Sequence, residues 1–144
     1  MTLVMRPMTV DDAAPVAGLA RQLGYDVAGD EIAERLGRVA GTEESLALVA
    51  DDAGNIVGWV HALDRVLLQE TRVLEIGGLV VDADRRGEGI GAQLVDAVAQ
   101  WARRNGHTTV YVRSNVIRDG THDFYPALGF TLQKTSHTYV MELE

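Results

Sequence analysis

Val80-Val81-Asp82-Ala83-Asp84-Arg85-Arg86-Gly87-Glu88-Gly89-Ile90-Gly91-Ala92-Gln93-Leu94 joins an apolar run to an amphipathic one through a loop with three alternating glycines. Beyond it, Leu94, Val95, Val98 and Trp101 recur at helical spacing through Ala102. The stretch reads as a strand, a loop stripped of side chains, and the start of a helix. Amides in the first turn of a helix have no internal partner, and the helix dipole places partial positive charge there. Removing Cβ atoms at alternate positions lets an anion approach those amides closely. Arg86 adds a formal positive charge beside them. The segment is suited to a phosphate or a pyrophosphate.

Three kinds of glycine loop compete for that reading. A Walker-type loop ends in Gly-Lys-Ser/Thr, and the only lysine here is Lys134, far from the glycines. A dinucleotide fingerprint is closer, because Gly87-x-Gly89-x-x-Ala92 formally satisfies G-x-G-x-x-G/A. There, however, the first glycine follows the strand directly, and an acid about 20 residues on holds a ribose hydroxyl. Here Asp82 to Arg86 intervene, and the next strand runs into Arg113-Ser114-Asn115 with no acid. The third candidate fits: Arg86-Gly87-Glu88-Gly89-Ile90-Gly91 has the form R/Q-x-x-G-x-G/A.

That loop resembles the pyrophosphate loop of the GNAT superfamily of acyl-CoA-dependent N-acetyltransferases. Leu79-Val80-Val81-Asp82 resembles the family's fourth strand. Ser114-Asn115 and Phe124-Tyr125-Pro126-Ala127-Leu128-Gly129-Phe130 are similar to its fifth-strand end and its F-Y-x-x-L-G-F segment. The resemblance is close from Leu74 to Phe130 and elsewhere lies only in the order of elements. It implies acetyl-CoA as cosubstrate and direct attack by an amine in a ternary complex. The fourth-strand residues Leu79, Val80 and Val81 would bind pantetheine. The amides of Arg86, Gly87, Glu88, Gly89, Ile90, Gly91 and Ala92 would bind the pyrophosphate, and Asn115 would reach the cofactor arm from the other side. Tyr125 stands where the family's general acid stands, and a phenol of pKa about 10 suits a departing thiolate. Glu75 is the candidate base, against an ion pair with Arg72; Glu70 and water relays remain open.

Gly77-Gly78, inside the same strand, reads as a bulge or close-approach point, because adjacent glycines weaken a strand unless they open something. Such an opening would let a peptide-like pantetheine arm pair with the strand edge. A CoA-binding regulatory or interaction module without turnover is the alternative function.

The 144-residue chain is long enough for one domain with a real core. No apolar run reaches membrane-spanning length and no signal-peptide pattern opens the chain, so the cytoplasm is the expected compartment. Cysteine is absent, which removes disulfides, thiolate metal sites and a cysteinyl acyl-enzyme. A net charge of −8 argues against nucleic acid and is compatible with a cationic small-molecule amine or peptide, although acidity also serves solubility. His61, His107, His122 and His137 lack metal-ligand spacing and read as surface or locally bonded groups; no metal is expected. Related proteins often pair as homodimers, to which the apolar Tyr139-Val140-Met141 strand could contribute an edge.

The fold class expected is α/β, a single-domain GNAT-like sandwich over residues 1–144. Its mixed central sheet would have about seven strands with flanking helices, in the order β-α-α-β-β-β-α-β-α-β-β. Strands are expected at Leu3–Arg6, Leu46–Ala50, Ile56–Leu63, Arg72–Val81, Thr108–Arg113, Phe130–Thr131 and His137–Leu143. Helices are expected from Thr9 or Asp11 to Leu23, over Glu31–Ala40, over Ile90–Arg104 and over Thr121–Leu128. Leu23–Ala40 and Arg65–Arg72 are the segments expected to choose the acceptor.

Overall fold

The computed structural model describes residues 2–39, 45–113 and 121–143. Its elements are β1 (Leu3–Pro7), α1 (Ala13–Gln22), α2 (Gly29–Val39), β2 (Ser45–Asp52), β3 (Asn55–Leu67), β4 (Glu70–Val81), α3 (Ile90–Arg104), β5 (Val110–Val112) and α4 (Thr121–Ala127). They fall into two compact units, residues 1–113 and 114–144. No helix among the described residues is long and apolar enough to cross a membrane.

The first unit is built on a five-stranded mixed sheet in the order β1-β2-β3-β4-β5, antiparallel except for the parallel β4–β5 pair. Alternation along β3 assigns the two faces. A Cβ on Gly58 would meet Ile90 and Leu94 of α3, so the Gly58, Val60 and Ala62 face is covered by that helix. Trp59, on the opposite face, packs on Ala17, Ala20 and Val27 of the α1–α2 layer. Leu74, Val60, Val49, Ile90, Leu94 and Val98 are fully buried between the sheet and its helices. Each such side chain contributes about 1.5–3 kcal/mol by leaving water.

The entry to α1 is pinned electrostatically. Arg6 of β1 donates from Nη1 and Nη2 to the two oxygens of Asp12 at 2.9 and 2.8 Å, and from Nε to Asp51 of β2 at 2.9 Å. Asp12 also accepts the Thr9 amide at 2.8 Å. The Arg6 hydrogen bonds, despite burial, hold the Asp12 carboxyl below its usual range. One 3-10 turn, Val10–Asp12, precedes α1, whose C-cap is Leu23, followed by Gly24 at φ +91°.

β2 and β3 are joined by a hairpin turn in which Ala53 and Gly54 have φ of 52° and 97°. Expectation and structure agree on α3 at both ends. They differ elsewhere. Most of Arg65–Arg72, expected between two strands, is itself strand: β3 runs to Leu67 and β4 begins at Glu70. Ion pairs sustain this hairpin, Arg65 with Glu75 at 2.9 Å and Asp64 with Arg72 at 2.6 Å. β5 shortens to three residues, since β4 offers it only Leu74–Ile76. The two strands expected at Phe130–Thr131 and His137–Leu143 do not form; residues 130–143 have no regular secondary structure and no ladder partner among the described residues. A strand pattern supplies alternation, but only a paired edge makes a strand. The end of α2 expected at Ala40 lies outside the described residues.

In the second unit, α4 carries Phe124 and Tyr125. The Leu128 and Phe130 amides donate to the Tyr125 carbonyl at 3.0 and 3.1 Å, and Gly129 closes the helix at φ +99°.

Candidate active site

β4 changes character halfway along. Leu74, Glu75 and Ile76 pair with β3 on one side and with Val110, Tyr111 and Val112 of β5 on the other. The β3 register then shifts: His61 faces Gly78 and Ala62 faces Ile76, so Gly77 is the extra residue of a bulge. From Gly77 to Val81, β4 keeps its β3 partners and has no partner on the β5 side among the described residues. Leu79, Val80 and Val81 therefore present a row of backbone donors and acceptors along an open edge. Val80 is buried, whereas Leu79 and Val81 are half-buried.

Gly78 has a packing reason as well. A Cβ built there would lie 2.8–2.9 Å from the outer ring carbons of Trp59, so the indole lies directly on the glycine. A Cβ on Gly77 would come within 3.1 Å of Leu63. Trp59 had no place in the sequence reading; its signal was an aromatic residue on the hairpin partner of a strand with a glycine pair.

The strand leads into the loop through a short turn, Ala83–Arg85. Asp82 caps it by accepting the Asp84 amide at 3.1 Å, and Gln22 of α1 accepts the Ala83 amide at 2.8 Å. Gly87 and Gly89 then take φ of +82° and +81°, conformations that cost an L side chain about 1–2 kcal/mol. A Cβ at either would meet nothing within 4 Å, so these glycines serve the backbone path and leave open space in front of it. Gly89 is the N-cap of α3 and has no side chain to satisfy the first turn. Among the described residues no hydrogen bond is donated by the amides of Arg86, Gly87, Glu88, Gly89, Ile90, Gly91 or Ala92; the first in the helix is Gln93 N–H to the Gly89 carbonyl at 3.1 Å. Arg85 is paired with Asp52 and Glu88, both at 3.0 Å. Arg86 is exposed and makes no ion pair among the described residues. A row of unsatisfied amides at a positive helix end beside a guanidinium can hold a pyrophosphate.

Glu75 sits in the doubly paired half of β4, its side chain 13% exposed. Its Oε1 accepts from Arg65 Nη1 at 2.9 Å and from Arg113 Nε at 2.8 Å. The alternative pairing with Arg72 is excluded by geometry: residues three apart on a strand face opposite ways, and Arg72 turns to Asp64. Asp64 also lies 3.7 Å from buried His107. Arg65 and Arg113 went unnoticed in the sequence, although Arg65 lies on the face of β3 that Glu75 shares.

His61, read as a surface or locally bonded group, is half-buried on β3 opposite Gly78. Its Nε2 is buried without a hydrogen-bond partner among the described residues, and burial lowers its pKa. In the second unit Tyr125 is half-buried between Phe124 and Phe130, edge-on to both at ring separations of 5.0 and 5.6 Å. Asn115 lies outside the described residues. No group of three or more His, Asp or Glu that could hold a metal occurs among the described residues.

With a one-sided strand edge, a bulge and an amide-lined helix start in sequence, known relatives become decisive. Residues 16–130 match the acetyltransferase (GNAT) family. The chain belongs to that family. Rat N-acetyltransferase 8 is 34% identical over 93 residues, which is 64% of this chain and 41% of that protein, so the chain spans about two fifths of the length of this relative. An aminoglycoside N-acetyltransferase, AAC(6')-Iy, solved in complex with CoA, superposes at a TM-score of 0.86 with 19% identity, covering 98% of this chain and 95% of that one. Glucosamine-6-phosphate N-acetyltransferase from Arabidopsis thaliana gives 0.82 at 18% identity, over 99% and 100%. At such identities the two structures establish the α/β GNAT fold alone.

Proposed function

We propose that this chain transfers the acetyl group of acetyl-CoA to a primary amine by direct attack within a ternary complex. The observation that carries the reading is the continuity of the open β4 edge with the unsatisfied amides at the head of α3. A strand edge suits the amide-bearing pantetheine arm, and the adjoining helix end suits its pyrophosphate. In this reading Leu79, Val80 and Val81 align the arm, and the amides of Arg86 to Ala92 neutralise the diphosphate with help from the Arg86 side chain. Asn115 is the further candidate for a contact to the arm.

The amine nitrogen attacks the thioester carbonyl carbon, the C–N bond forms, and the C–S bond breaks. Tyr125 donates its phenolic proton to the departing thiolate and is reprotonated from solvent. Glu75 is the proposed acceptor of the amine's proton; with two guanidinium groups on Oε1, that role falls to Oε2 or to a water upon it. The strongly acidic chain favours a cationic acceptor, such as a polyamine or an aminoglycoside-like amine. The complex of AAC(6')-Iy with the bisubstrate analogue CoA-S-monomethyl-acetylneamine is a precedent for that class in another protein of this fold.

Calorimetry with CoA, followed by acetyl-CoA consumption across a panel of polyamines, aminoglycosides and peptides, tests the reading. Binding with turnover on one class is expected, and Tyr125→Phe should lower turnover about 10²-fold or more while CoA affinity stays within about twofold. Absence of CoA binding at millimolar excess would remove the reading. Binding without turnover on any amine would leave a CoA-responsive module instead.

A further inference from the structure

We infer that Gln22 is a positioning residue: it clamps the turn between β4 and the α3 amides, and so fixes where the row of free amides begins. The inference rests on the CoA reading proposed above and adds to it a residue from α1. Four consecutive amides lead into the row, and all four are satisfied. Asp82 N–H donates to the Val57 carbonyl at 2.9 Å, Ala83 N–H to Gln22 Oε1 at 2.8 Å, Asp84 N–H to Asp82 Oδ1 at 3.1 Å and Arg85 N–H to the Asp82 carbonyl at 2.9 Å. From Arg86 to Ala92 no amide donates among the described residues. Three of the four acceptors belong to the turn itself or to the paired strand β3. The fourth comes from a side chain 61 residues away in sequence.

The chemistry of the clamp selects glutamine. A backbone amide only donates and a carboxylate only accepts, so a side chain set between Ala83 and Asp82 must present an acceptor to one and a donor to the other. Gln22 does both: Oε1 takes the Ala83 amide, and Nε2 donates to Asp82 Oδ1 at 3.4 Å. Glutamate would set a second carboxylate against Asp82, and lysine or arginine would have no acceptor for Ala83. The side chain also starts from a fixed base. α1 is seated by buried Val16, Ala17, Leu19 and Ala20, of which Ala17 and Ala20 pack against Trp59. The Leu23 and Gly24 amides return to the Ala20 and Arg21 carbonyls at 3.0 Å, and Arg21 Nη1 donates to the Val27 carbonyl at 2.8 Å. Neighbouring side chains of one helical turn thus hold two different segments, Arg21 the chain leading to α2 and Gln22 the turn leading to α3. The Gln22 bridge lies at the surface, so losing it leaves the core intact and frees the turn alone.

Gln22→Leu, Gln22→Glu, Asp82→Asn and the double variant Gln22→Glu/Asp82→Asn separate positioning from general electrostatics. In the ligand-free protein, NMR should show the Ala83 amide exchanging with deuterium faster in Gln22→Leu than in the parent, with the urea midpoint unchanged. Calorimetry with CoA should give an affinity about three- to tenfold weaker for Gln22→Leu, the range that one net hydrogen bond supplies. Gln22→Glu should lose at least as much. Asp82→Asn should restore most of that loss, because asparagine can donate to the new carboxylate, while changing the parent's affinity less than about twofold. Equal gains from Asp82→Asn in both backgrounds would reduce the effect to net charge and overturn the inference. So would unchanged Ala83 exchange in Gln22→Leu. Parent binding of CoA with an indifferent Gln22→Leu removes the inference alone, whereas a parent that fails to bind CoA at millimolar excess removes it together with the reading on which it rests.

Discussion

The two halves of β4 have the same backbone conformation and opposite uses. Leu74 to Ile76 is hydrogen-bonded on both sides, its Glu75 carboxylate gripped by Arg65 and Arg113. Among the described residues Gly77 to Val81 is bonded on one side only, and it contains no ionisable side chain. One extra residue at Gly77 separates them. The first half holds the sheet together; the second is left available, and its continuation into Gly87 and Gly89 keeps the next set of amides available as well. The comparison teaches that one extra residue can end pairing along a strand that is otherwise central, and the proposed ligand site lies on the half left unpaired.

If the halves are separable, their variants should affect different measurements. The largest effect belongs to the open half and its loop. Gly89→Glu places a negative side chain in the space before the α3 amides, and CoA affinity should fall about 100-fold or more, as the pyrophosphate assignment requires. Gly89→Asn tolerates the left-handed backbone and adds no charge, so it should stay within about 1 kcal/mol of the parent stability and lose less affinity. Calorimetry and urea unfolding of both variants check this. Equal losses of affinity would mean that bulk, rather than charge, governs the loop.

At the boundary, Gly78→Ala drives a Cβ into the outer ring carbons of Trp59, which also packs on Ala17 and Ala20. Overpacking of this sort costs about 1–3 kcal/mol. In a Trp59→Leu background the same alanine should cost much less, and the double-mutant coupling measures the contact. Additive costs would show that Gly78 serves only the backbone.

How much of this could be read beforehand follows the same division. The open half was legible because its determinants are local: glycines at alternate positions and a helix pattern starting directly after them specify α3 from Ile90 to Arg104 without tertiary information. The bulge was legible as a glycine pair, though its exact residue, Gly77, depends on the β3 register. The paired half was not legible, because Glu75 meets Arg65 and Arg113 only once three strands are aligned. Its face, which excluded Arg72, follows from counting by twos along the strand. Residues 137–143 failed for a related reason: they were read as a strand and form none, because pairing belongs to a neighbour that the sequence does not name. The described residues bring Glu75, the β4 edge and the loop into one unit, while Tyr125 belongs to the other.

A moderate effect is expected from the paired half. Glu75→Gln removes the charge shared by two arginines of which one side chain is 64% exposed, so screening reduces the cost to about 1–2 kcal/mol. CoA affinity should remain within about twofold, since Glu75 lies before the bulge. A tenfold change in CoA affinity without loss of stability would erase the distinction between the halves.

The smallest effect is a pH dependence seated opposite the bulge. Burial lowers the pKa of His61 below the ordinary imidazole value of 6.5, so the unfolded chain binds this proton more readily than the folded one. Stability from this group is therefore complete above 6.5 and is lost as pH falls from there toward the folded pKa, by up to about 1.4 kcal/mol per pH unit. Asp12 acts in a lower window: its contribution is present above 3.8 and disappears as pH falls through its depressed folded value. Urea unfolding between pH 8 and 5 should thus show a slope that His61→Phe reduces and that Asp12→Asn leaves unchanged. The His61 ring lies across from Gly78, so the same variant asks whether the bulge needs a neutral, buried imidazole beside it. An unaltered slope in His61→Phe would assign the acid sensitivity to other histidines and leave the two halves of β4 distinguished by pairing alone.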